Sequence, residues 1–410
     1  MAFFLKWIVL PCCGLLLLLV VAVFLAVSGQ RSGWERELQA WENSGRPVNF
    51  HAERDRAVAD ADNRAVGWLG VAALLEEVEA AEAEASPDDD AAGLAIQFPA
   101  YADPEDLAAA LESRAEALSL ATQAAARADA RWPIDWDNPM ADGAAWDATE
   151  AARAVGRLLV AAATHEALAG RHAEADRHLA HAVLLADDAG RMPALTPELV
   201  RVALLAEVLD ALEEREDPER FPRTLAALRA SGVREQVADA VAEEAAVGLA
   251  MLEGDEDMKA LGELPYLVPM QKRGLLRAQG EAADRLEESW PAALDYPQED
   301  PGLGNFFAAI VAPAVGSAVQ TTALFDTRRR LFLLAHAGGP AAELDADPFG
   351  GDQPFQRAEA PDGGRVLWSA GVNRPELDDQ EREHLILQVG TDWLPDGLAS
   401  LPAVPESPDF

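Results

Sequence analysis

The stretch AGRHAEADRHLAHAVLL, residues 169–185, decides the fold class. After the break at Gly170 it sets Ala175, Leu179 and Ala182 at helical spacing, small residues where two helices must approach closely. Working outward, residues 145–252 read as a succession of helices. Gly170, Gly190-Arg191-Met192-Pro193, Asp217-Pro218 and Ser231-Gly232 punctuate them. Thr196-Pro197-Glu198 and Asp217-Pro218-Glu219 carry the cap, proline and acid of a helix start. Upstream, Asp103-Pro104-Glu105 starts a helix expected to run to about residue 130. An alanine-rich helix is expected over 64–85, closed by Ser86-Pro87 and Asp88-Asp89-Asp90. Trp34, Leu38 and Trp41 share one face of a short helix over 33–43, which Gly45-Arg46-Pro47 stops. Downstream, a helix is expected at roughly 270–289. The apolar run 305–335 is broken by Pro313, Ser317, Gln320 and Thr321, which fits a buried or interfacial helix better than a membrane span.

Of 410 residues, 71 are acidic and 33 basic, and half are hydrophobic, enough for a sizeable core. A net charge of −38 repels phosphate backbones and excludes a nucleic-acid-binding role. Only Lys6, Lys259 and Lys272 are lysines. So acidic a surface with so little lysine fits adaptation to a salty exterior, where hydrated carboxylates keep a protein in solution. Cys12 and Cys13, adjacent near the N-terminus, leave no cysteine framework for a disulfide or zinc site in the body.

Ile8–Val27, IVLPCCGLLLLLVVAVFLAV, contains no charge. At about 1.5 Å per residue a helix of this length matches the ~30 Å hydrocarbon core of a bilayer, and it exceeds the ~7–15 residues of a signal-peptide core. An uncleaved single-pass anchor is therefore expected, with the lipid bilayer as partner. The N-terminus would lie in the cytoplasm and the body would be exported from a bacterial inner membrane. The organisation that follows is an anchor at 1–30, juxtamembrane helices and a linker at 31–100, and a helical domain at 101–290. A long helix plus a small β-containing module occupies 303–390, and the tail is 391–410. Glycine-rich turns between short apolar runs, Arg365–Trp368 and Leu385–Leu387, supply the strand signals.

Two local patterns resemble known families. The stretch around Gly170 resembles the second half of a tetratricopeptide repeat, present once, which implies an α-hairpin body of the kind that binds proteins. Near the C-terminus, Asp347-Pro348-Phe349-Gly350-Gly351 with Pro354-Phe355 is followed by Trp368-Ser369, Gly371, Asn373 and Asp378-Asp379. This resembles the terminal β-segment of type II secretion major pseudopilins. That resemblance implies a turn and strand pair packing Phe349, Phe355, Leu367 and Trp368, and calcium held by oxygens of Asp378, Asp379 or Glu381. The chain departs from it at Arg374-Pro375 and at the N-terminus, where no pseudopilin leader or fifth-position glutamate stands. As a whole it resembles a group of uncharacterised single-pass bacterial envelope proteins. They share an anchor, a tryptophan-rich helix with a GxPV sequence (Gly45–Val48), a helical middle and the DPF ending.

His165, His172, His178 and His181 cluster in one stretch. His178 and His181, three apart, could share a metal with Glu174 or Asp176, though no HExxH signature accompanies them. Trp132, Trp136 and Trp146 could line a carbohydrate groove, with packing the simpler role. The sequence holds no GxSxG, P-loop or GxGxxG in a βαβ unit. The expectation is a non-catalytic envelope scaffold with protein partners and no cofactor. An accessory role in a secretion or pilus-like system is one alternative. An exported hydrolase is the other, requiring a pocket of convergent, perturbed titratable groups.

Overall fold

The computed structural model describes residues 32–85, 91–139, 143–215, 217–254, 267–295, 306–336, 346–351, 353–373, 381–382 and 385–389, with Leu344, Leu377 and Leu394. The chain is mainly helical with one small antiparallel sheet. The helices are α1 (residues 32–43), α2 (His51–Asp55), α3 (Arg64–Ala85), α4 (Ala91–Gln97), α5 (Pro104–Ser113), α6 (Ala115–Ala125) and α7 (Ala144–Leu168). They continue as α8 (His172–Ala189), α9 (Leu195–Glu213), α10 (Pro222–Ala230), α11 (Val233–Gly254), α12 (Leu267–Glu288), α13 (Trp290–Leu294) and α14 (Phe306–His336). Strands β1 (Gln356–Glu359), β2 (Arg365–Trp368) and β3 (Ile386–Val389) follow.

Successive helices pack as neighbours: α7 on α8, α8 on α9 and α10, α9 on α11 and α14, and α12 on α11 and α14. The α7–α8 hairpin turns through Gly170 at φ +75°, a conformation glycine adopts without steric cost. Ala175, Leu179 and Ala182 are buried along α8, as their spacing implies. At Gly156 on α7, a Cβ would lie 2.3 Å from Leu204, so glycine sets how closely α9 approaches. One apolar cluster runs from Trp41 through Trp68, Trp132, Leu158 and Leu205 to Phe332, Phe349 and Leu385.

Three helix expectations are altered in the fold: Asp217-Pro218-Glu219 opens only a 3-10 turn, Pro218–Arg220, with α10 starting at Pro222, and two others are changed by partners far along the chain. The helix begun by Asp103, whose carboxylate accepts from the Glu105 N–H at 2.8 Å, ends at Ser113 and restarts at Ala115. Arg114 stands at the break with 1 % exposure. Its guanidinium donates to Glu82 and to the Ala110 carbonyl, contacts that pull the chain out of one straight helix. Likewise α9 starts at Leu195, before Thr196, with the Leu195 N–H donating to the Glu244 carboxylate at 2.9 Å. Ala194 turns into it at φ +123°.

The strands order β1-β2-β3, all antiparallel, with Leu367 opposite Arg357 and Leu387. The sheet lies on the end of α14, where Leu331, Phe355 and Leu367 form a small cluster. Among the described residues no helix is long and apolar enough to cross a membrane, and the expected span 8–27 lies outside them. So do the acidic loop 86–90 and, apart from Leu394, the tail 391–410.

Candidate functional site

The residues of the DPFGG ending converge on one carboxylate. Asp347, 2 % exposed, has its two oxygens 2.7 and 2.9 Å from Ser369 Oγ. It also accepts from the backbone N–H groups of Phe349 and Ala370, and Ser369 Oγ accepts in turn from Gly371 N–H. Both glycines are sterically required. A Cβ on Gly350 would sit 2.3 Å from Asp347, and one on Gly371 would sit 2.2 Å from Phe349. Pro348 and Phe349 are buried beside the carboxylate, Trp368 packs against the main core, and Ala370–Asn373 form a single 3-10 turn. Burial pushes Asp347 above the usual carboxylate range, and its donors oppose that. Both carboxylate oxygens of Asp347 and the Ser369 hydroxyl are thereby engaged in holding the turn. Of the expected calcium ligands, Glu381 accepts from Gln320 at 2.8 Å, which ties the module to α14. Asp378 and Asp379 lie outside the described residues.

The histidines are likewise spread over packing positions. His178 is buried and His181 half-buried on α8, the helix that packs on α7 and α10. Burial lowers both, His181 to about 4, with Arg177 adding to the effect at each. His172 Nε2 accepts from Arg220, and its ring meets Phe221 edge-on. Asp176, between them in sequence, accepts from the backbone N–H groups of Arg223 and Thr224 and so caps α10 from a neighbouring helix. No group of three or more His, Cys, Asp or Glu among the described residues is placed to hold a metal ion. Trp132 and Trp136 are buried, while Trp146 is exposed in the first turn of α7.

Other charges are spent inside the core. Asp188, fully buried, receives two parallel bonds from Arg64, each 2.8 Å, and one from Trp68 Nε1 at 3.0 Å. Asp326, also fully buried, accepts from Trp290 Nε1, Arg329 and Arg330. Burial alone would raise it, yet the two guanidiniums outweigh burial and hold it at about 2. Arg201 is buried between Glu198, Asp187 and Ser231. Burial still pushes Glu198 up to about 7.

One cleft is built differently. It encloses about 630 Å³ between the 98–101 segment, α7, the C-terminal half of α9 and Arg328 of α14. Glu207, Asp210 and Glu213 line it from α9 at spacings of three, which put them on one stripe, and Glu214 follows at the end of the helix, four positions after Asp210. Arg157 approaches Glu207 at 3.7 Å, and Arg328 divides its charge between Asp210 and Glu213. Burial raises Glu207, Glu213 and Glu214 above the ordinary glutamate range, against the opposing pull of Arg157, Arg328 and Arg215 respectively. At the rim, Phe98 is 49 % and Tyr101 85 % exposed. None of these residues stands out in the sequence. The available signals were the acidic stripe of α9 and FPAY, an aromatic run in a turn that belongs to no amphipathic face.

Compared with protein-family models, curated proteins and solved structures, the chain matches none of them.

Proposed function

We propose that this chain is a non-catalytic interaction protein of the bacterial cell envelope, anchored by residues 8–27, with its N-terminus cytoplasmic and its helical body periplasmic. The observation that carries this reading is the open cleft between α7 and α9 with Phe98 and Tyr101 exposed at its rim. Large apolar side chains left in solvent beside a concavity are features of a surface completed by a partner. The hairpin packing of α7 on α8, which the tetratricopeptide-like stretch encodes, supports a scaffold role for the body. The Asp347 knot accounts for the pseudopilin-like ending as a fastening of the 347–350 turn to the end of β2, so an accessory role in secretion draws no separate support from it. A photo-crosslinking residue at Tyr101 tests the reading in envelopes. Discrete protein adducts, absent when the probe sits at Glu288, are expected; identical patterns at both positions would overturn it.

A second reading rests on a specific observation. The raised carboxylates Glu207 and Glu213, facing a 630 Å³ cleft, are the kind of group an acid–base hydrolase of envelope polymers uses. On that reading Glu207→Gln abolishes release of soluble fragments from purified cell-wall polymer. On the interaction reading no such release occurs with either protein.

A further inference from the structure

We propose that the occupant of the α7–α9 cleft is a basic amphipathic segment of a partner protein, an inference that rests on the interaction reading above. The cleft presents four carboxylates against two guanidiniums, and both guanidiniums are already engaged by Glu207, Asp210 and Glu213. Glu214 forms no ion pair of its own among the described residues; the guanidinium of the adjacent Arg215 acts on it at longer range and donates to Thr164, which leaves the carboxylates of the site in excess. The remaining field is therefore negative, concentrated in a concave site where it acts at short range. Beside it the short helix α4 and the turn after it expose Leu94, Phe98 and Tyr101, at 51, 49 and 85 %. A segment that alternates basic and apolar faces would satisfy both surfaces at once. Its Lys or Arg side chains would meet the α9 stripe and stack on the aromatic rims, while its apolar face would cover Leu94 and Phe98. A purely apolar segment would bury Glu214 without a cation to pair it, a costly outcome. A neutral saccharide would use the aromatics and leave the charge idle.

Fluorescence anisotropy with the full chain in zwitterionic nanodiscs, empty discs serving as blank, tests this. The probe is a labelled 18-mer with Leu and Arg at helical spacing, together with the same peptide carrying Glu for Arg. The Arg peptide is expected to bind and to weaken as salt rises. Glu214→Lys and Tyr101→Ala should each cost about tenfold or more in affinity. Glu288→Lys, outside the cleft on the exposed end of α12, should cost less than about twofold. Both cleft positions are exposed, so neither substitution threatens folding. Equal losses at Glu214 and Glu288 would overturn the proposal, since attraction would then be general to a chain of net charge −38. Absence of binding, or equal binding of the Glu peptide, would overturn it as well. Should Tyr101 still crosslink to proteins in envelopes, only the partner chemistry falls; without crosslinks the interaction reading falls too.

Discussion

Three consecutive arginines on α14 face two environments. Arg329 and Arg330 turn inward to Asp326, whereas Arg328 turns outward to Asp210 and Glu213 at the cleft. At Asp326 two guanidiniums and an indole N–H converge on one carboxylate, which is held at about 2. At Glu213 one guanidinium serves two carboxylates, burial dominates and the group rises. In so acidic a chain the charge of a carboxylate says little about its role. The number of donors the fold delivers to it separates structural acids from available ones.

The largest effect should come from breaking the inward side. Asp326→Ala removes the carboxylate that the buried Arg329 and half-buried Arg330 share and should cost about 3–5 kcal/mol in chemical denaturation. A reference carboxylate titrates near 3.9, and Asp326 at about 2 lies below it. Its contribution is therefore present above about pH 4 and lost as pH falls toward 2. Asp326→Asn should flatten that acid limb. A curve unchanged by the Asn variant would mean that the inward pair carries no linkage.

A different close approach comes next. Gly371→Ala drives a methyl group into Phe349, at a cost of about 1–3 kcal/mol. Hydrogen exchange should quicken across β1–β3 while α7 and α8 keep their protection, because the added atom touches only the Asp347 knot.

Glu243 on α11 extends the comparison to a carboxylate short of donors. Burial and the nearby Asp239, Glu53 and Glu198 push it up to about 8. Such a group favours the folded state at low pH, and that advantage is lost as pH rises from about 4 through 8. Glu243→Gln should leave stability unchanged at pH 4 and raise it by about 1–2 kcal/mol at pH 9, read by urea denaturation at the two values. The smallest effect belongs to the outward side. Tyr101→Ala should shift stability by less than about 0.5 kcal/mol, because the ring is 85 % exposed and packs little.

Legibility followed the range of the interaction. The α3 bounds, the breaks at Gly170, Gly190 and Ser231, and the turns flanking the strands rest on propensity and backbone conformation within a few residues, and they were readable. Arg114 interrupting the helix after Asp103 was not, because its partner Glu82 stands 32 positions away. Glu198 read as a first-turn acid suited to the helix dipole, but in the fold it faces Arg201 and Asp187 in the core. The DPFGG residues were found as a pattern; their convergence on Asp347 required Ser369, 22 positions downstream, to arrive at the same point.

By itself the sequence determined that the chain is mainly helical, where most helices begin and end, that a short sheet closes the C-terminal end, and that the surface is strongly negative. Those properties come from local periodicity, turn chemistry and composition. The tertiary structure alone decided which acids are consumed and which remain. That outcome depends on donors such as Arg64, Trp290 and Arg328 being brought from distant positions to particular carboxylates, and no local pattern encodes that convergence.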